Sequence, residues 1–196
     1  MNKSTKSFFC EFLKKYNFPF SNIIDVGVGI QTKELRTNFK NIHQVLIEPQ
    51  KKLIPNIQSQ YKDNNYTLFD IGVSDKKGEE VDTLNNICRD FSKWLLLKID
   101  VDGIEPKVLD GASEILEKCA FVIIEAQLGR FTEIYTKLIN HNFELFGIVD
   151  PLYLEDCLWQ VDLIFINNYI KNNHSSFNIG SLFKNGNKNF NCIDQI

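Results

Sequence analysis

Asp100 and Asp102, in the run KIDVDG, set two carboxylates one residue apart at the end of an apolar stretch. Residues i and i+2 share one side of an extended chain, so both carboxylates are expected to face one point. There they could hold a divalent ion such as Mg2+, or divide the roles of base and orienter in a proton transfer. An EF-hand reading fails, because Gly103 comes two places early and no glutamate stands at the twelfth position. The competing reading makes Asp102 and Glu105 the acidic first turn of a helix. Lys98, two residues before the pair, is either an ion-pair partner for these acids or a residue snorkelling at a sheet edge.

A second constellation lies in NIIDVGVGIQT, residues 22–32. Gly27 and Gly29 fit the first two places of G-x-G-x-x-G, but the third holds Thr32. Asp25 stands just ahead of them, where a carboxylate would repel a bound pyrophosphate and attract a cationic ligand. S-adenosylmethionine carries a sulfonium and an ammonium and no phosphate, so the acid favours that cofactor over a nicotinamide one. Glu48 follows Asp25 by 23 residues, near the spacing of ~20 at which an acid reaches the ribose hydroxyls of an adenosine. Asp70 would then lie by the adenine amino group, with Ile71 beside it.

These residues need elements to position them. Phe8, Phe9, Phe12, Leu13 and Tyr16 recur at helical spacing, which predicts an amphipathic helix within residues 1–19, ending before Pro19. Short β-rich runs then alternate with helical segments: NIIDV, HQVLIE, YTLFD, WLLLKID and FVIIEA against TKELRTNF, QKKLIPNIQSQY and EPKVLDGASEILEK. Runs apolar throughout imply strands buried on both faces, hence a parallel sheet with helices on each side. FELFGIVD and QVDLIFIN, after the helical FTEIYTKLINHNF, suggest a closing hairpin. The core is expected over residues 20–167, with 168–196, rich in Asn, Ser and Lys, a loosely held extension. Ligands of such a sheet sit at the carboxyl ends of its strands, and Asp25, Glu48, Asp70, Asp100 and Glu125 fall in order on those ends. Any one of them alone could equally cap a helix.

Composition narrows the function classes. With 196 residues, 43% hydrophobic and 24% charged, the chain has the balance of one ordinary globular domain. A net charge of −3 gives no basic footprint, so no nucleic-acid partner is expected. Cys10, Cys88, Cys119, Cys157 and Cys192 are odd in number and form no C-x-x-C pair, which reads as reduced thiols in a cytoplasmic protein. Apolar runs are far below the ~20 residues that cross a bilayer. His43 and His141 lack partners at ligand spacing and are assigned to structure.

IIDVGVGIQT, VLIEPQ, FDIGVSDKKG, VDTL, LLLKIDVDGIEPKVLDGASEIL, FVIIEAQ and WQVDLIFI, in that order, resemble the signatures of the FkbM-type methyltransferases of the class I S-adenosylmethionine-dependent superfamily. The resemblance covers roughly residues 20–167. It implies an α/β, Rossmann-like fold: a mostly parallel seven-stranded sheet, helices on both faces, and an antiparallel last strand. It also implies O-methylation of a sugar, glycan or small secondary metabolite. Gly29 stands where the family usually has asparagine, Gln31 where it has a third glycine, and Asp102 where it has glutamate. On this reading Asp25, Gly27, Gly29, Glu48, Asp70, Ile71 and Asp100 hold S-adenosylmethionine. Asp100 and Asp102 carry the chemistry or a metal, because an alcohol oxygen must lose its proton as it attacks the methyl group. A cofactor-binding protein without turnover and a nicotinamide-dependent oxidoreductase are the alternatives, and a homodimer is left open.

Overall fold

The computed structural model describes residues 5–29 and 32–173. Seven strands form one sheet: β1 (Asn22–Val26), β2 (His43–Ile47), β3 (Tyr66–Phe69), β6 (Leu95–Ile99), β7 (Cys119–Gln127), β8 (Phe143–Leu154) and β9 (Cys157–Asn167). Their order is β3-β2-β1-β6-β7-β9-β8, and only β9 runs antiparallel to its neighbours. A small parallel pair, β4 (Gly72–Val73) with β5 (Val81–Asp82), stands apart. The expected seven-stranded class I architecture, with its antiparallel closing strand, is the one observed.

The apolar runs are strands because both of their faces are covered, as all five buried residues of β6 show. One face packs Ile24, Val45, Leu97, Ile124 and Phe165 against α4 (Leu84–Ile87), α5 (Glu105–Asp110), α6 (Ser113–Leu116) and α7 (Phe131–Asn140). The other packs Ile23, Leu96, Phe121, Ile123 and Ile164 against α1 (Thr5–Lys15) and α2 (Lys33–Asn38). Phe9, Cys10 and Leu13 of α1 are buried there, Phe9 edge-on to Phe121. α3 (Ile54–Tyr61) covers Leu46 on the same side, and α8 (Asn168–Asn173) inserts Ile170. The remainder of the expected extension, 174–196, lies outside the described residues, as do Gln31 and Cys192.

One long helix expected over EPKVLDGASEILEK is two short ones. Gly111 ends α5 because its backbone lies against Ser74: a Cβ there would come within 2.1 Å of the Ser74 carbonyl oxygen. Asn85 starts the second, its Oδ1 accepting the N–H groups of Glu114 and Ile115 at 3.0 and 3.2 Å. Cys10, Cys88 and Cys119 are buried free thiols and Cys157 an exposed one. Among the described residues no helix is long and apolar enough to cross a membrane.

Candidate active site

The carboxyl ends of β1, β2 and β6 open into a cavity of about 1060 Å3. Its first wall is backbone. After β1 the chain turns through Gly27 and Gly29, both left-handed at φ +77° and +54°, a region other residues enter at a cost. The two glycines answer different constraints. A Cβ on Gly27 would lie 1.8 Å from the Asp100 carbonyl oxygen, so its bareness lets the loop close on β6. A Cβ on Gly29 would meet nothing within 4 Å. Gly29 instead donates its N–H to Glu48 Oε2 at 2.9 Å, while Gln50 N–H donates to Glu48 Oε1 at 2.9 Å. Glu48, 2% exposed, is therefore fixed at the cavity wall by two backbone donors, and each oxygen keeps a lone pair.

The second wall is a row of charge. Register pairs Asp25 with Lys98, Lys98 with Ile123, Ile123 with Ile164, and Glu125 with Asp162. Partners in register share a face, so the layer that is apolar at Ile23, Leu96, Ile123 and Ile164 turns charged at Asp25, Lys98, Asp100, Glu125 and Asp162. Lys98 Nζ reaches Asp25 at 3.1 Å, Asp100 at 3.2 Å and the Gly27 carbonyl at 3.2 Å. Burial alone would lower the Lys98 pKa, but the two carboxylates outweigh it and hold the ammonium above its ordinary range. From α1, Lys6 pairs with Asp162, and its backbone N–H donates to Asp150 at 3.1 Å. Glu125 Oε1 accepts from Gln160 Nε2. Burial, with Asp100 and Asp162 next to it, pushes the Glu125 carboxyl up to about 7.

The expected site residues fall into place unequally. Gly27, Gly29, Glu48, Ile71, Asp100 and Asp102 line the cavity together. Asp25 does not: it is 0% exposed, and Lys98 neutralises the charge expected to draw a cationic ligand. Asp70 is exposed and lies off the cavity lining, whereas its neighbour Ile71 is part of it. The shared side expected of Asp100 and Asp102 requires an extended chain, but β6 ends at Ile99 and Asp102 is left-handed at φ +55°. Asp100 is held by Lys98, Asp102 is exposed, and no group of three or more His, Cys, Asp or Glu among the described residues is placed to hold a metal. The residues present thus do not fit the divalent ion expected at Asp100 and Asp102. Nor is the acidic-turn reading as drawn: Glu105 starts α5, but its Oε1 accepts from Val101 and Gly103 N–H at 3.3 and 2.9 Å, clamping the loop before the helix.

Lys6, Asp150, Gln160 and Asp162 line the same cavity and were not singled out from the sequence. Asp162 carried a signal, being the one acid in the otherwise apolar VDLIFI of β9. Because β9 is antiparallel, its amino-terminal half meets the carboxyl ends of the others, so a search of strand ends passes over it.

The model of the Methyltransferase FkbM domain matches residues 8–145. Among solved structures, the chain is similar to the methyltransferase FkbM from Methylobacillus flagellatus KT, with 18% identity over 74% of this chain and a TM-score of 0.60. The match spans 43% of that longer chain. It is also similar to an rRNA methylase from Streptococcus thermophilus (13% identity, 85% of this chain and 98% of that one, TM-score 0.57). Magnesium protoporphyrin IX methyltransferase from Synechocystis PCC 6803, solved with bound SAM, aligns at 11% identity over 83% of this chain and 78% of its own, with a TM-score of 0.54. At these identities the likenesses speak to fold. No curated protein matches the sequence.

Proposed function

We propose that this chain, which belongs to the FkbM methyltransferase family, transfers the methyl group of S-adenosylmethionine to a hydroxyl of a sugar, glycan or small metabolite. The observation that carries this reading is one cavity with two unlike walls: a glycine loop closed by Glu48, facing a row of carboxylates. The donor set suits an adenosyl ligand without phosphate. Glu48 has lone pairs for ribose hydroxyls, Ile71 offers apolar surface beside them, and a pyrophosphate would meet a carboxylate in place of a cation. Asp100, its side chain 34% exposed, would face the cationic end. When bound, the cofactor supplies an electrophilic methyl group on a sulfonium. The chain's own residues then have to bring an oxygen into line with it and receive that oxygen's proton.

The carboxylate wall favours a neutral, hydroxyl-rich acceptor. Lys6 and Lys98 are ion-paired within the wall, so an anionic acceptor such as a nucleic-acid backbone would meet net negative charge. Carboxylates accept hydrogen bonds from hydroxyls, while Ile104 and Leu152, on the cavity lining and 43% and 52% exposed, can cover the apolar face of a sugar ring. Calorimetry with S-adenosylhomocysteine and with NAD, followed by transfer from methyl-labelled S-adenosylmethionine to a panel of neutral methyl glycosides, tests the reading. Binding of the adenosyl compound alone, with label in a glycoside, is expected. Binding of NAD in its place would overturn it, and adenosyl binding without label in any acceptor would leave a cofactor-binding protein without turnover.

A further inference from the structure

We propose that Glu125 is the catalytic base, the group that takes the proton from the acceptor hydroxyl; this rests on the O-methyltransferase reading above. Its place in the sheet supports the role. Ile99 pairs with Ile124, so Glu125 is the next residue along β7, beside Asp100 at the end of β6 and on the cavity lining. Across β9 it faces Asp162 in register. The carboxylates on either side each have an ammonium partner, Lys98 for Asp100 and Lys6 for Asp162. Glu125, between them, is bonded instead to an amide: Gln160 donates to Oε1 and orients the group, which leaves Oε2 to receive a proton.

The neighbours tune it as a base needs. Asp100 and Asp102 act on it from the turn after β6, Glu105 from the start of α5 and Asp162 from β9, while Lys98 of β6, Asp150 of β8 and Lys6 of α1 line the same cavity. Half-burial disfavours the ionised carboxyl most, and with both cations paired the charge of its neighbours is negative as well. Together they favour proton uptake and bring its titration to about 7, where a base is both ionised and strong enough to act. In the step itself the hydroxyl proton passes to Glu125. The oxygen forms its bond to the methyl carbon while the carbon–sulfur bond breaks, its electron pair neutralising the sulfonium. The protonated Glu125 afterwards releases its proton to water.

Two measurements test this. Carbon-13 NMR of the glutamate carboxyls in the free protein, assigned by the signal missing in Glu125→Gln, should show one titration near pH 7. Label transfer to the methyl glycosides should rise with pH through the same midpoint, and Glu125→Gln should lower kcat by ~100-fold or more and remove the inflection. S-adenosylhomocysteine affinity should stay within twofold of wild type, with partial rescue in Glu125→Asp. A Glu125 signal titrating at the ordinary glutamate range, or a Glu125→Gln enzyme with kcat within a few-fold of wild type, overturns the assignment while leaving the methyltransferase reading intact. A wild-type protein that binds the cofactor but labels no glycoside overturns the underlying reading and the base with it.

Discussion

The two walls of the cavity are built by opposite means. The glycine-loop wall comes from backbone, with Gly27 packed on Asp100 and Gly29 bonded to Glu48, and its residues lie close together in sequence. The carboxylate wall comes from side chains at positions 6, 100, 125, 150, 160 and 162, collected from α1, three strands and the turn after β6. A wall of backbone fixes one shape and suits a ligand that does not change. A wall of side chains on a shared frame can be altered one residue at a time, which suits the partner that differs from one enzyme to the next. Lys98 joins the two, since one ammonium binds Asp25, Asp100 and the Gly27 carbonyl.

Changes to the shared frame should damage both walls most. Gly27→Ala places a Cβ 1.8 Å from a backbone oxygen at φ +77° and is expected to cost about 5 kcal/mol, the exceptional end for one substitution, read as loss of cooperative unfolding in urea. Lys98→Met strands Asp25, which is wholly buried, and Asp100. A cost of about 3 to 5 kcal/mol at neutral pH is expected, shrinking in acid as Asp25 takes a proton. Equal stability of Lys98→Met and wild type would break the claim that this lysine ties the walls together.

A smaller effect is confined to the carboxylate wall. Glu125 titrates at about 7 when folded against an ordinary 4.5, so below 4.5 both states are protonated and it contributes nothing. Between those values the unfolded chain loses its proton first, and stability falls as pH rises; above 7 the loss is constant. Glu125→Gln should therefore melt a few degrees above wild type at alkaline pH, with the gap closing in acid. A pH-independent gap would mean that Glu125 is not held in unfavourable charge.

The smallest effect is expected at Gly29. Asparagine is among the side chains that best tolerate left-handed backbone, and the space beyond Gly29 is open. Gly29→Asn should cost about 1 kcal/mol or less in thermal unfolding and keep cofactor affinity within a few-fold. Gly29→Val, β-branched at φ +54°, should lose much more of both.

The same division explains what could be read from the sequence. The sheet was legible because NIIDV, LLLKI and FVIIEA are buried on both faces, and the place of Gly27 and Glu48 on the cavity lining because both follow strands of one strand–helix–strand unit. The burial and ion pairing of Asp25 were not legible because its environment depends on Lys98, 73 residues away on the adjacent strand. The break at Gly111 was hidden for a like reason, since the backbone that excludes a side chain there belongs to Ser74. Pairing Asp100 with Asp102 assumed that the strand continues past Ile99, and a left-handed residue is where that fails. Lys6 had no local mark of function, being one lysine in an amphipathic helix, and the mark of Asp162, an acid in an apolar run, lay on the antiparallel strand, away from the strand ends where ligands are sought.

The central claim, that the glycine-loop wall serves the cofactor and the carboxylate wall beyond Asp100 serves the acceptor, is tested most directly by calorimetric titration of S-adenosylhomocysteine into Glu48→Gln and Asp162→Asn. Glu48→Gln removes an anionic acceptor for two ribose hydroxyls and should weaken binding by ~1.5 to 3 kcal/mol, roughly ten- to a hundredfold. Asp162→Asn, across the cavity and paired with Lys6, should bind within twofold of wild type. Unchanged affinity in Glu48→Gln together with a large loss in Asp162→Asn would contradict the division.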